Sequence, residues 1–499
     1  VLSAVVKRAG IQCQLVLLPH WDEGLPLNPS RFQQTYPESA LGQLSDLTQD
    51  SDLIGVSLMS SSFDKAIQIT RSLRRSTKAP IVWGGIHPTV CPEECLDYAD
   101  FVCVGEGEEA LPELVINVAD GQGSAGIPNV WFRRDGEVVR TPLRPPTLDL
   151  DSYPYPDYDF DSEFILHLGR IQPMTRNLFL HLTQMDPSAS SAIPYRTVMS
   201  RGCSYRCAYC FNSGRGSAYG KHWRVRRRSL PNFIGELRQA VTRFPEIQRI
   251  LILDDLFLDD SEHVREFSSA YKEAIGLPFT VFNFHPSTID DEKIGLLADA
   301  GLDSPTVGIQ TGSMRVMRDI YRRSCTSLQM TQAFEVLHRS SNRIGPPLYQ
   351  LIGDNPWETE EDQMETLRML LRVPRPFRLA LFSLTFYPGT ELYERARSEG
   401  LITDNLTQIY RKNFTVPKRT YINGLFALFQ SQSVPNWLIS TLMSAPLRRL
   451  DQAWLPDRVS RLYHFTTRVG RSGRRLFQGD WSPVRNVYRR RFGQVAAKA

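Results

Sequence analysis

Three cysteines constrain this 499-residue chain more than any other feature. They lie in the stretch Met199-Ser200-Arg201-Gly202-Cys203-Ser204-Tyr205-Arg206-Cys207-Ala208-Tyr209-Cys210-Phe211-Asn212. A C-x3-C-x2-C spacing on a loop, after a strand expected over 196–200, can turn three thiolates toward one centre. A [4Fe–4S] cluster held by three thiolates keeps one iron with an open position, which suits chemistry better than electron storage. Zinc is the competing reading, but it usually takes four ligands as paired C-x2-C or C/H units, and no second pair follows.

The length predicts two or three domains. A hydrophobic content of 41% and a charged content of 22% are those of a globular chain with a sizeable core. No apolar run is long enough for a spanning helix. Eight cysteines, at 13, 91, 95, 103, 203, 207, 210 and 325, are too sparse for a disulfide framework, so a reducing cytoplasm is expected. The net charge of +4 hides an asymmetry: from Leu401 to Ala499 there are 17 Lys and Arg against 4 Asp and Glu. The final Arg489-Arg490-Arg491 cluster, near Tyr463, Phe465, Phe477 and Trp481, reads as a solvated terminus, with peripheral contact to an anionic membrane surface as the other reading. No RNA-binding signature is present, and no nucleic-acid partner is expected. The chain opens without Met inside a helical pattern over Val1–Gly10, which predicts that the true N-terminus is missing.

Over residues 1–125, apolar runs at 14–18, 52–58, 80–83 and 101–104 alternate with helical patterns at 63–75, 92–98 and 108–118. The alternation predicts a parallel, doubly wound sheet with a ligand beyond the carboxyl ends of its strands. Those ends carry Ser57 and Ser60, then Gly84-Gly85-Ile86-His87-Pro88, then Gly105-Glu106-Gly107-Glu108. Hydroxyls and glycines there admit a large ligand's polar edge, although glycines are also ordinary turn residues. Residues 126–195 hold a hairpin around Asp135-Gly136 and a proline-rich spacer; 164–194 carries no readable pattern.

From 196 to 400, strands are expected at 196–200, 249–253, 279–283, 306–310, 348–352 and 380–386. Helices fall between them at 231–243, 261–275, 290–300, 327–339 and 358–371. Six βα units predict a partial (β/α)6 barrel with its active groups at the strand carboxyl ends. Those ends carry Asp254-Asp255 and Gln310-Thr311-Gly312. Arg224, Arg226, Arg227 and Arg228 read as a solvated charged face, and His285 and Cys325 as packing residues. Residues 401–499 read as a basic, mostly helical region covering the barrel mouth.

With Tyr209 before its last cysteine, the cysteine stretch resembles the signature of the radical S-adenosylmethionine (SAM) superfamily. The resemblance implies that Cys203, Cys207 and Cys210 hold a [4Fe–4S] cluster whose open iron chelates SAM, and that Tyr209 sits against the adenine. Leu253-Asp254-Asp255-Leu256-Phe257 resembles the element near the SAM amino group. Val307 to Ser313 resembles the ribose-binding segment, with Gln310 accepting from a hydroxyl. Trp83-Gly84-Gly85-Ile86-His87-Pro88-Thr89, Pro92-Glu93-Glu94 and Val104-Gly105-Glu106-Gly107-Glu108 together resemble the cobalamin-binding domain of the B12-dependent subfamily. That implies that Ser57, Ser60, Gly84, Gly85, His87, Gly105, Glu106 and Gly107 lie against the corrin and its nucleotide tail. The D-x-H-x-x-G motif of many cobalamin proteins is missing, so no histidine ligand to cobalt is expected.

The expected architecture is therefore α/β. A Rossmann-like cobalamin domain (1–125), a linker (126–195), a radical SAM partial barrel (196–400) and a basic helical region (401–499) follow one another. The expected activity is methylation of an unactivated carbon of a small molecule, lipid or peptide, with an external electron donor such as a flavodoxin or ferredoxin. Radical cyclisation or rearrangement, and non-catalytic corrinoid carriage, are the alternatives.

Overall fold

The computed structural model describes residues 1–19, 35–124, 126–185, 192–220, 223–258, 260–431 and 433–444. The arginine cluster at 489–491 and its aromatic neighbours lie outside the described residues.

Short apolar runs ended by glycine or proline form the strands of the N-terminal part. β1 (Leu15–Leu17) stands apart from the sheet built by β2 (Ile54–Ser57), β3 (Ile81–Gly84), β4 (Phe101–Cys103), β5 (Val130–Arg134) and β6 (Glu137–Val139). β2, β3 and β4 are parallel, while β5 and β6 form an antiparallel hairpin on the β4 edge. Asp135 (φ +52°) and Gly136 (φ +84°) supply the two left-handed residues that a tight hairpin turn needs. The expectation of an all-parallel sheet is thus corrected to a mixed one, because the hairpin read as linker pairs back onto β4.

β1 is corrected too. It pairs in parallel with β7 (Glu163–His167), which is antiparallel to β8 (Arg170–Pro173), in a separate three-stranded sheet. A three-residue apolar run carries no information about which distant strand it will meet. The cores of these elements merge: Leu166 and Ile171 pack with Ile54, Ile81 and Trp83. Trp83 is fully buried, stacks on Tyr98 at 5.6 Å and donates from Nε1 to Thr70 Oγ1 at 3.0 Å, so its one polar atom is satisfied.

The second half carries β9 (Pro194–Thr197), the short antiparallel pair β10 (Ser200–Arg201) and β11 (Arg226–Arg227), then β12 (Arg249–Ile252) and β13 (Phe279–Val281). β14 (Thr306–Gln310), β15 (Leu348–Gly353) and β16 (Arg378–Ser383) follow. β9, β12 and β13 pair in parallel, as do β14, β15 and β16. Isolated bridges Phe279 to Leu302 and Phe284 to Val307 join the two runs. Six parallel strands therefore lie side by side in chain order, with helices between them.

Side-chain caps start those helices. Asp260 accepts from Glu262 N and His263 N, and Thr326 with Gln329 and Thr359 with Asp362 form capping boxes. The helix Asp291–Ala300 begins under Asp290 and ends at left-handed Gly301. All four starts fall within two residues of the expected positions because the signal is local.

The C-terminal described residues divide between two cores. Tyr393, Ile409 and Tyr410 pack with Trp83 and Phe63 of the first domain. Leu425, Leu428, Phe429 and Ile439 complete the large core of the second, where helix Tyr421–Phe429 lies against β16 and helix Glu360–Arg372. Among the described residues, no helix is long and apolar enough to cross a membrane.

Candidate active site

The cysteine loop leaves β10 at Gly202, whose φ of +98° strains any other residue and whose added Cβ would crowd Arg224 O at 3.1 Å and the Trp223 ring at 3.3 Å. The loop is then pinned from several sides. Ala208 N donates to Tyr321 O at 2.9 Å, and Leu392 N donates to Ala208 O at 3.0 Å. Ala208 itself is buried among Val316, Ile320, Tyr321, Leu384 and Leu392. Tyr205 stacks on His285 at 4.0 Å and shares a hydrogen bond with Ser287 Oγ at 2.9 Å.

All three thiols are free, Cys207 buried and Cys203 and Cys210 half-buried on the same loop. Burial, with smaller contributions from Asp255 and the neighbouring cysteines, pushes the Cys203 thiol up to about 11 and Cys210 up to about 12. Such thiols ionise when a cationic centre takes them as ligands. The donor set thus fits an iron–sulfur cluster.

Arg323 is the neighbour that sequence reasoning missed. Its Nη1 lies 3.7 Å from Cys207 Sγ and donates to Tyr209 Oη at 3.2 Å, while Nη2 donates to Gly308 O at 2.6 Å. The preceding π-helical turn, Val316–Ile320, sits just before it in the chain. Nothing in the run Tyr321-Arg322-Arg323 tells which arginine faces inward; Arg322 points out to Glu391. His285 was expected as a packing residue and is buried, stacked on Tyr205 of the cysteine loop, and its Nε2 has no hydrogen-bond partner. Burial, with Arg323 nearby, holds it down to about 3.

The paired aspartates separate cleanly. Asp254 is buried, with Oδ1 accepting from Met199 N at 2.7 Å and Oδ2 from Ser200 Oγ at 2.6 Å. Burial pushes its carboxyl up to about 6. Asp254 therefore braces the strand that leads into the cysteine loop, and Asp255 is the exposed carboxylate.

Gln310 ends β14 with φ +73° at a register shift, and Gly308 leaves room for its amide: a side chain there would come within 2.6 Å of Nε2. A small cleft beside it is lined by Leu351, Glu358, Thr366, Asn423 and Phe426. The next two expected contacts are turned elsewhere. Thr311 is buried against Thr366 Oγ1 at 3.2 Å, and Gly312 N donates to the same hydroxyl at 2.9 Å. A side chain on Gly312 would sit 2.7 Å from Thr366 Cα. Both anchor the loop to helix Glu360–Arg372.

In the first domain, Gly105 and Glu106 lie against residues of the second domain. Tyr219 Oη occupies the space a Gly105 side chain would fill and accepts from Glu106 N at 3.0 Å. The Glu106 carboxylate pairs with Arg226 at 2.5 Å and Arg201 at 3.5 Å, and Arg201 also pairs with Glu108 at 2.6 Å. Arg226 also donates to Thr147 O at 2.8 Å. The arginine run is thus only partly a solvated face: Arg224 is exposed, but Arg226 is only 4% exposed and Arg228 pairs with buried Glu236.

Gly85 (φ +101°) packs on Leu58 O, and Gly84 and Gly107 approach Cys103. Ser57 is exposed, whereas Ser60 is buried with Oγ 3.0 Å from His87 Nδ1, and His87 has no exposed surface. Beside Ser57, the surface at these strand ends includes exposed apolar side chains: Met59 and Ile86, with Val198 and Leu253 after β9 and β12. A cavity of about 220 Å³ beside the first domain's docking face is lined by Tyr153, Arg196, Met199 and Arg201, but by none of the three cysteines.

Comparison with known proteins accords with this arrangement. The B12 binding domain profile matches residues 1–115, and the Radical SAM superfamily profile matches residues 197–370. The chain is 27% identical over 376 residues to the uncharacterized methyltransferase PH0819 of Pyrococcus horikoshii, covering 74% of this chain and 73% of that one. It is 27% identical over 302 residues to cytidylyl-2-hydroxyethylphosphonate methyltransferase of Streptomyces wedmorensis, covering 54% and 52%. In fold it matches the radical SAM methyltransferase TsrM of Kitasatospora setae, solved with cobalamin and a [4Fe–4S] cluster, at a TM-score of 0.56 and 17% identity over 78% of this chain and 75% of that one.

Proposed function

The chain belongs to the cobalamin-dependent radical SAM enzymes, and from that premise we propose that it methylates an unactivated carbon of a small-molecule, lipid or peptide substrate. One observation carries the reading: the strand pair that introduces the cysteine loop is tied, through Arg201 and Arg226, to the Gly105–Glu108 loop of the B12 binding domain. The radical-generating loop and the corrinoid domain are thereby held in one frame. When bound, the cluster and SAM supply a 5′-deoxyadenosyl radical by one-electron cleavage, and cobalamin carries the methyl group to be transferred.

Cys203, Cys207 and Cys210 would hold the cluster. Arg323 keeps Tyr209 in place beside Cys207 and brings positive charge to a thiolate-rich centre. Asp255 is the carboxylate available to the SAM amino group, while Asp254 keeps the strand fixed. Gln310 offers an amide to a ribose hydroxyl. Met59, Ile86, Val198 and Leu253 offer exposed apolar surface of the kind a corrin ring covers.

Several coarser features extend this reading. The six strands in chain order are read as a partial barrel. The units are taken as 1–125, 126–195, 196–400 and 401–499, with helix Tyr421–Phe429 serving the second core. A flavodoxin or ferredoxin is the proposed electron source in the cytoplasm, and the basic tail is the segment that would meet an anionic membrane.

Anaerobic reconstitution with iron and sulfide tests the site. The reduced protein is expected to give a [4Fe–4S] electron paramagnetic resonance signal that changes when SAM is added. No cluster, or a signal indifferent to SAM, would remove the reading.

A further inference from the structure

A second group of metal-ligating side chains lies on the segment after β3, apart from the cysteine loop. His87, Cys91 and Glu94 each bring one ligand atom, and the three atoms all lie within 4.8 Å of one another. The spacing is H-x3-C-x2-E: His87 lies on the helix Ile86–Val90, Cys91 at the break (φ −130°, ψ 54°) and Glu94 on the turn Pro92–Cys95, and the break brings the three together.

His87 carries the argument. The ring has no exposed surface, and it is held edge-on between Phe63 at 4.8 Å and Tyr410 at 5.0 Å. Its Nδ1 is 3.0 Å from Ser60 Oγ, while its buried Nε2 has no hydrogen-bond partner and lies 3.6 Å from Glu94 Oε2. With Nδ1–H donated to Ser60, the Nε2 lone pair faces Cys91 and Glu94, the arrangement by which metal-bound histidines are oriented. Tyr410 donates to the same Glu94 oxygen at 2.7 Å and closes the group from the C-terminal side.

We propose that His87 Nε2, Cys91 Sγ and the Glu94 carboxylate bind one divalent transition-metal ion of the zinc class. An N, S, O donor set excludes the hard cations magnesium and calcium, and three protein ligands leave one position for water or the Tyr410 hydroxyl. Without an ion His87 and Cys91 are both uncharged near neutral pH. Burial holds His87 down to about 4 and, with Glu94 beside it, pushes Cys91 up to about 12. Binding exchanges the Cys91 S–H bond for a sulfur–metal bond and releases that proton to solvent, with no change of oxidation state. The ion would join the Gly84-Gly85 loop to the Leu406–Tyr410 turn that packs on the same core. This site is independent of the methylation reading.

The test uses the full chain, free of cobalamin and chelator-treated, with C203A, C207A and C210A so that the cluster thiols cannot compete. Titration with cobalt(II) alone is expected to give one bound equivalent, a near-ultraviolet thiolate-to-cobalt band displaced by zinc, and release of one proton. C91A in the same background should abolish the band and weaken binding at least about tenfold, and S60A should weaken it by about tenfold while keeping the band. A band that survives C91A, or no binding below millimolar cobalt, would overturn the proposal. Because the triple substitution could unfold the chain, zinc is also counted by elemental analysis in the cluster-loaded protein. One zinc per chain that disappears in C91A at unchanged iron content supports the site, and equal zinc in both overturns it.

Discussion

Gly312 shows how a residue expected to touch a ligand can instead be fixed by packing. Its missing side chain would meet Thr366 Cα at 2.7 Å, and backbone cannot step aside cheaply. Gly312→Ala is expected to destabilise the protein by about 2–4 kcal/mol in urea unfolding, whether or not SAM is present. A loss seen only as weaker SAM binding would restore the ligand-facing role. His285 gives a pH dependence of defined sign. The fold keeps it neutral down to about 3, while in the unfolded chain it protonates near its ordinary 6.5. As pH falls below 6.5 the unfolded state takes up a proton that the folded state refuses, so stability is lost toward acid. Between pH 7.5 and 5.5 this amounts to about 1.4 kcal/mol, which His285→Gln should remove. Equal pH slopes for both proteins in denaturant titrations would contradict the assignment. At this scale the sequence disclosed chemistry but not direction. The place of the cysteine loop after the first strands of the second half, and of Gln310 at the end of β14, was legible. The split between Asp254 and Asp255, the inward turn of Arg323 and the stack of His285 on Tyr205 were not, because each depends on partners dozens of residues away.

Among the elements, what could be read locally was read well. The Asp135-Gly136 turn and the starts of the helices near 261, 290, 327 and 358 were read from the sequence, and the structure shows why the starts are local: Asp260, Asp290, Thr326 and Thr359 cap them. What depends on long-range pairing was not. β1 meets β7 about 148 positions downstream, and the hairpin β5–β6 returns to β4. The arginine run is the clearest case. Four arginines close together usually mark a wet surface, but here β11 carries Arg226 into the first domain's loop, where it pairs with Glu106 at 2.5 Å. Removing one partner of a buried pair leaves the other charge uncompensated, so Arg226→Ala should cost about 3 kcal/mol. It should also expose the 140–160 segment to limited proteolysis before either core unfolds. A cleavage pattern identical to the parent protein would mean that the pair does not hold the domains together.

For the whole molecule, two cores share one docking face, and the C-terminal described residues stitch both. Tyr393, Ile409 and Tyr410 belong to the first core, and Leu425, Phe429 and Ile439 to the second. Division of labour between two domains was legible from the order of the motifs, whereas the stitching was not, because residues 401–443 carry ordinary amphipathic patterns that fit either core. The central claim is that this frame couples radical formation at the cysteine loop to methyl transfer from the corrinoid domain. The most direct measurement is single-vessel turnover by the anaerobically reconstituted, cobalamin-loaded protein with methyl-labelled SAM and a low-potential reductant, assaying 5′-deoxyadenosine, S-adenosylhomocysteine and label on cobalamin. The account predicts all three from the intact protein. It predicts no 5′-deoxyadenosine after Cys207→Ala, with S-adenosylhomocysteine falling only as far as the cluster also orients SAM. Production of 5′-deoxyadenosine without any label reaching cobalamin would contradict it.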